Sequence, residues 1–147
     1  TVLPDHGRTG SAITTMPVTA AEQTLSAATP HLEYDMYTFE ADSVKVQAYF
    51  SPTLNFHNDD GLKYAVSIDN ETPRVISINK DDNNTRTWGD WVANAIIIKT
   101  TSNAGFKQGK HVLKFWMISP AVVLQKLVVS SEPLPYTYFG PGETLKP

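Results

Sequence analysis

At 147 residues, with 12 basic and 15 acidic side chains, the chain carries a net charge of -3 and no cysteine. That length suits one domain with a core of its own and no disulfide staples. The dispersed charges leave no basic stripe for nucleic acid and no polybasic patch for a membrane surface, and the redox compartment stays open.

The longest apolar runs, Ala121 to Leu124 and Leu127 to Val129, fall far short of the roughly 18 residues of a membrane span. No secretory leader opens the chain, and Thr1 without a methionine before it points to a processed chain or a piece of a longer one. The first motif is "DHGRTGSAITTMPVT", Asp5 to Thr19, in which Gly7 and Gly10 flank an arginine and a serine follows. A phosphate loop would also need a lysine and a helix start. Here a β-branched run closed by Pro17 follows, so the stretch reads as a tight turn feeding a strand. "TAAEQTL" then offers a capping box, with Thr19 and Glu22 three apart, for a single helical turn.

From residue 32 onward, alternation with period two predicts half-buried strands. The first spans Leu32 to Phe39. "SVKVQAYF" puts Val44, Val46, Ala48 and Phe50 on one face, and "LKYAVSID" does the same with Leu62, Tyr64, Val66 and Ile68. Further strands are expected at Arg74 to Asn79, Ala95 to Thr101 and Val122 to Val129. "HVLKFWMI" is apolar on both faces, which places it inside a sheet. Turn-rich segments separate these strands, including "HNDDG", "DNETP" and "DDNN". A second capping pattern, Thr87 and Asp90 in "TWGDWVANA", predicts another helical turn. Seven or eight short strands indicate an all-β sandwich. Its expected core is Val44, Val46, Phe50, Tyr64, Val66, Ile68, Leu113, Phe115, Leu127 and Val129. Residues 1–131 form the sandwich, and 132–147, rich in proline and aromatics, an extended strap.

Few side chains nominate chemistry. Glu33 and Asp35 stand two apart on one strand, roughly 7 Å between Cα atoms, and point the same way, whereas glycoside hydrolysis needs carboxyls flanking a bond from opposite sides. His6, His31, His57 and His111 lack metal-ligand spacing. "DDNNTRTWGD" begins like a calcium loop with Asp81, Asn83 and Thr85, but Arg86 and Val92 stand where glycine and glutamate are needed, so the match to a calcium site is partial. The better lead is aromatic. Trp88 and Trp91 lie in a polar stretch where an indole can stack on a sugar, with Arg86 and Asn70 as hydroxyl partners, although both indoles can equally plug the end of the sandwich.

Three segments carry a resemblance: "PHLEYDMYTFEADSVKVQAYFSPTLNF", "GLKYAVSIDNETPRVISIN" and "HVLKFWMISPAVVLQKLVVSSEPLPYTYFGPGET". With "GRTGSA" before them, they resemble the C-terminal module of glycoside hydrolase family 115, the xylan α-1,2-glucuronidases. The resemblance implies a jelly-roll sandwich of the galactose-binding type in a larger secreted or periplasmic enzyme, with the catalytic acids on another domain and none on this chain. It also implies an accessory role in architecture or in a homodimer, with a xylan- or glucuronoxylan-binding module as the alternative and an independent hydrolase as a remote one. The family's module begins further upstream with an acidic strand, so this chain is expected to lack its first strand and to leave a sheet edge open.

Overall fold

The computed structural model describes residues 1–39, 42–56, 60–80 and 85–144. Among these described residues nine strands and one helix follow one another: β1 (Val2–Pro4), β2 (Ser11–Thr14), β3 (His31–Thr38), β4 (Ser43–Phe50), β5 (Lys63–Ile68), β6 (Arg74–Ser77), α1 (Thr85–Asn94), β7 (Ile97–Ala104), β8 (Gly109–Met117) and β9 (Val123–Ser130). They make a five-stranded sheet in the order β1-β2-β9-β4-β7 and a four-stranded sheet in the order β3-β8-β5-β6. Without the short β1, the orders 2-9-4-7 and 3-8-5-6 are those of a jelly roll, in which successive strands cross from one sheet to the other except at the β5–β6 hairpin. All pairings are antiparallel.

The alternating residues of each strand meet in the gap between the sheets. Phe50 of β4 packs on Tyr64 of β5 at 4.8 Å between ring centroids, and Tyr64 stacks on Phe115 of β8 at 5.3 Å. Ala48, Val66, Met117 and Leu124 close around these rings. A second cluster, Val44, Val46, Ile68, Phe106 and Leu113, continues the core toward the other end. β5 and β8 lie between neighbours in their sheet, and the outer face over them is covered as well. Ala65, Trp116 and Ile118 sit beneath Leu25 of the loop between β2 and β3. This is why "HVLKFWMI" is apolar on both faces.

That loop overturns one expectation. The capping pattern of Thr19 and Glu22 forms no helix. Glu22 Oε1 instead accepts a hydrogen bond from Lys63 Nζ at 3.1 Å, and Gln23 N donates to the carbonyl of Ile118. Tertiary partners outcompete a turn too short to hold itself. The second capping pattern errs the other way, because α1 runs ten residues from Thr85 rather than one turn from Thr87. It ends where Ala95 takes a left-handed φ of 51°, so β7 begins at Ile97 and not at Ala95.

Val129 is a further correction. It pairs with Val46 yet is 36% exposed. The register slips between Tyr49 and Phe50, and β2 pairs with β9 only at Val123 and Leu124. Beyond Gln125, among the described residues, β9 has β4 as its sole strand neighbour, so its inner-facing side chains lie at an open flank. The hairpin of β1 and β2 gives the "GRTGSA" turn the strand expected after it. β1 itself has no counterpart in the sequence reading.

Candidate functional site

One surface hollow opens where β6 and β7 face each other at the edge of the sandwich. Its floor is built by a turn that only glycine accommodates. Gly61 has φ +98°, and a Cβ there would lie 2.8 Å from Asn79 Cβ and 2.9 Å from Ser77 Oγ. This close approach lets Leu62 N donate to Asn79 Oδ1 at 2.9 Å while Ile78 N donates to the Leu62 carbonyl. Asn79 is thereby buried with its Nδ2 lacking a hydrogen-bond partner among the described residues. The hollow encloses about 1000 Å³ between Leu54, Asp60, Ile76, Asn79, Lys80 and Lys99.

α1 approaches this hollow through Lys99, which lines it. Lys99 Nζ stands 5.4 Å from the centre of the Trp91 ring, and Trp88 meets Trp91 edge-on at 6.4 Å. Trp91 also packs against the main core, so part of this indole plugs the sandwich. Arg86 is exposed on the first turn of the same helix. Asn70 is not brought to this group. It lies in the turn after β5, at the far end of a strand whose other end, Lys63, lines the hollow, roughly 17 Å away along five residues. The structure therefore brings Trp88 and Trp91 together with Lys99, leaves out Asn70, and puts Arg86 two residues from Trp88 on a different side of the helix. An indole and an ammonium beside it can engage a hydroxyl-rich ligand.

His31, Glu33, Asp69 and His111 have structural partners. Glu33 Oε1 is 3.2 Å from His31 Nε2 and 3.7 Å from Lys114 Nζ on the outer face of the four-stranded sheet. Asp35 follows on that face, so the two carboxyls do not oppose each other. At the lower end, Asp69 Oδ2 lies 2.7 Å from His111 Nδ1. The hydrogen bonds that His111 donates to Asp69 and to the Lys107 carbonyl push the His111 pKa up against the opposing effect of burial. Burial would raise the Asp69 pKa, but its bonds from His111 and from the Val112 amide outweigh that and lower it. No group of three or more His, Asp and Glu among the described residues is arranged to hold a metal ion, and Asp81 and Asn83 lie outside the described residues.

A different kind of surface is made by the chain after β9. Arg8, 8% exposed, donates from Nε to the Asn94 carbonyl at the end of α1 and from Nη1 to the Tyr138 carbonyl, both at 2.7 Å. Its guanidinium lies 4.0 Å from the centre of the Tyr138 ring. Lys126 Nζ donates to the carbonyls of Phe139 and Pro141 at 3.0 and 2.8 Å. The backbone of this strap is thus fastened while its rings face outward: Tyr136 is 73% exposed and Phe139 64%. The sequence pointed to the strap but not to Arg8, whose neighbours there read only as a turn.

The fold and its side chains define a β-sandwich module without an opposed carboxyl pair among the described residues. The family model of the glycosyl hydrolase family 115 C-terminal domain matches residues 1–143, and the chain belongs to that family. No curated protein matches the chain. Among solved structures it is similar to a family 115 4-O-methyl-α-glucuronidase with specificity for decorated arabinogalactans, at 19% identity and a TM-score of 0.62 over 71% of this chain. The chain spans 14% of that enzyme's length. It is also similar to a family 35 carbohydrate-binding module from Clostridium thermocellum, at 12% identity and a TM-score of 0.56, with 88% of this chain and 86% of the module covered. At these identities the likeness is one of fold.

Proposed function

We propose that the chain is a non-catalytic accessory domain of a secreted or periplasmic α-glucuronidase that debranches xylan, and that it serves that enzyme's architecture by packing against the catalytic part or a second subunit. The observation that carries this reading is the strap. Arg8 and Lys126 hold its backbone while Tyr136, Tyr138 and Phe139 remain more than half exposed. Fixed aromatics have little side-chain entropy left to lose on docking, which suits them to a permanent interface. The test mixes this chain with a separately produced catalytic part of its enzyme. The two should co-elute, and a Tyr136→Ser, Phe139→Ser double variant should not. Co-elution unaffected by both substitutions would reject the strap as the contact.

A second reading is supported by the hollow near α1, which Asn79 and Lys99 line and where Lys99 lies 5.4 Å from the Trp91 ring. In it the domain grips xylan or glucuronoxylan. Affinity electrophoresis in glucuronoxylan gels checks this: retardation lost in a Trp88→Ala variant supports the reading, and unretarded migration of the unaltered chain rejects it. Trp88 is preferred to Trp91 for this test because Trp91 is shared with the core.

A further inference from the structure

The second hollow lies at the other end of the sandwich from α1. It encloses about 490 Å³ and is lined by Asp35, Met36, Tyr37, Lys110 and Val112, with the Asp69 and His111 pair at its side. β3 and β8 create it by register. Tyr37 stands opposite Lys110, and Asp35 opposite Val112, so an aromatic ring, a carboxylate and an ammonium emerge as neighbours on one face. Tyr37 is 50% exposed, and Phe39, two residues on and on the same face, sets its ring 5.0 Å from the Tyr37 ring. Neither Asp35 nor Lys110 has a hydrogen-bond or ion-pair partner among the described residues. Glu33 and Lys114, one step along the same two strands, do meet each other at 3.7 Å. The pair nearest the ring is thus left available where its neighbour is tied.

We propose that this face is a contact site for a neutral pyranose unit of a polysaccharide, separate from the hollow beside α1. A pyranose offers an apolar C-H face and a rim of hydroxyls that both donate and accept. The Tyr37 ring matches the first. The Asp35 carboxylate, an acceptor only, and the Lys110 ammonium, a donor only, match the second. The two opposite charges cancel, which disfavours a purely anionic or cationic ligand. β3 is also the edge strand of its sheet, so a long glycan can run past the ring without meeting another strand. The held His111 and Asp69 fix the floor beneath: Asp69 Oδ1 accepts from Val112 N at 2.9 Å, tying the β5–β6 turn to β8.

The experiment is an amide chemical-shift titration of the whole chain with xylohexaose and, separately, cellohexaose. At least one glycan should shift the amides of Asp35, Tyr37, Lys110 and Val112, and Tyr37→Ala should weaken that binding by about fivefold, the loss of one ring contact. Lys110→Gln, exposed and harmless to folding, should weaken it as well. Shifts confined to Lys80, Asn79 and Lys99 would overturn this site while sustaining the sugar-binding reading of the α1 hollow. No shift anywhere with either glycan would overturn both and leave the accessory role standing. Unchanged affinity in Tyr37→Ala and Lys110→Gln would also overturn it.

Discussion

Both ring nitrogens of His111 face acceptors: Nδ1 lies 2.7 Å from the Asp69 carboxylate and Nε2 lies 2.9 Å from the Lys107 carbonyl. Only the imidazolium can donate to both at once, so the charged form is the one the fold holds. His111 therefore contributes stability in full below the ordinary histidine pKa of about 6.5, and this is lost as pH rises through its raised folded value. Asp69 contributes above the ordinary carboxylate value of about 3.9 and loses its contribution as pH falls through its lowered folded value. The pair is worth most between those two limits. In His111→Gln, the Tm deficit relative to the unaltered chain should be greatest near pH 5 to 6 and shrink as pH rises through the raised folded value of His111, read by circular dichroism melts. A deficit constant from pH 5 to 9 would contradict the assignment.

Gly61 and Gly10 separate two costs of adding a side chain. Both have positive φ, +98° and +77°, but a Cβ at Gly61 meets Asn79 and Ser77 whereas one at Gly10 meets nothing within 4 Å. Gly10→Ala should cost only the backbone strain, about 1–2 kcal/mol. Gly61→Ala should cost more, about 2–3 kcal/mol or above, because the Leu62 and Asn79 bond must also shift. Equal losses in urea melts would show that the turn yields.

Phe115 is fully buried between Phe50 and Tyr64, with ring centroids at 6.1 and 5.3 Å. Phe115→Ala should cost about 3–5 kcal/mol. Val129→Ala, at the open flank of β9, should cost about 1 kcal/mol or less. A reversed order in denaturant midpoints would remove the description of the core.

The contrast between those two residues also marks how far the sequence could be read. Val44, Val46, Ala48 and Phe50 alternate cleanly because β4 has one face on the core, and Phe115 belongs to a run apolar on both faces because β8 is covered twice. Val129 continues the same alternation, but its burial depends on how far β2 follows β9, which no local pattern encodes. The same holds for helices: Glu22 had the right spacing from Thr19, and Lys63, 41 residues away, took its carboxylate. At the candidate site, Trp88, Trp91 and Arg86 were legible as neighbours on one short segment. Asn79 and Arg8 were not, since their bonds to Leu62 and to Asn94 and Tyr138 span 17, 86 and 130 residues.

Arg8 is predicted to be irreplaceable by lysine. Its fork serves the Asn94 and Tyr138 carbonyls together and its plane stacks on the Tyr138 ring, and one ammonium cannot reproduce that geometry. Arg8→Lys should lose about 1.5–3 kcal/mol of local stability, seen as faster amide exchange in the strap and in the last turn of α1. Exchange unchanged in both would show that the clamp holds neither.

The accessory role is tested most directly by limited chymotrypsin digestion of the isolated chain and of the intact enzyme side by side. In the isolated chain the outward-facing rings of Tyr136 and Phe139 leave the strap open to slow cleavage. In the intact enzyme, cleavage after either residue should be suppressed, because those rings are covered by the neighbouring domain or subunit. Equally rapid cleavage after Tyr136 or Phe139 in both would show the strap free in the enzyme and contradict the account.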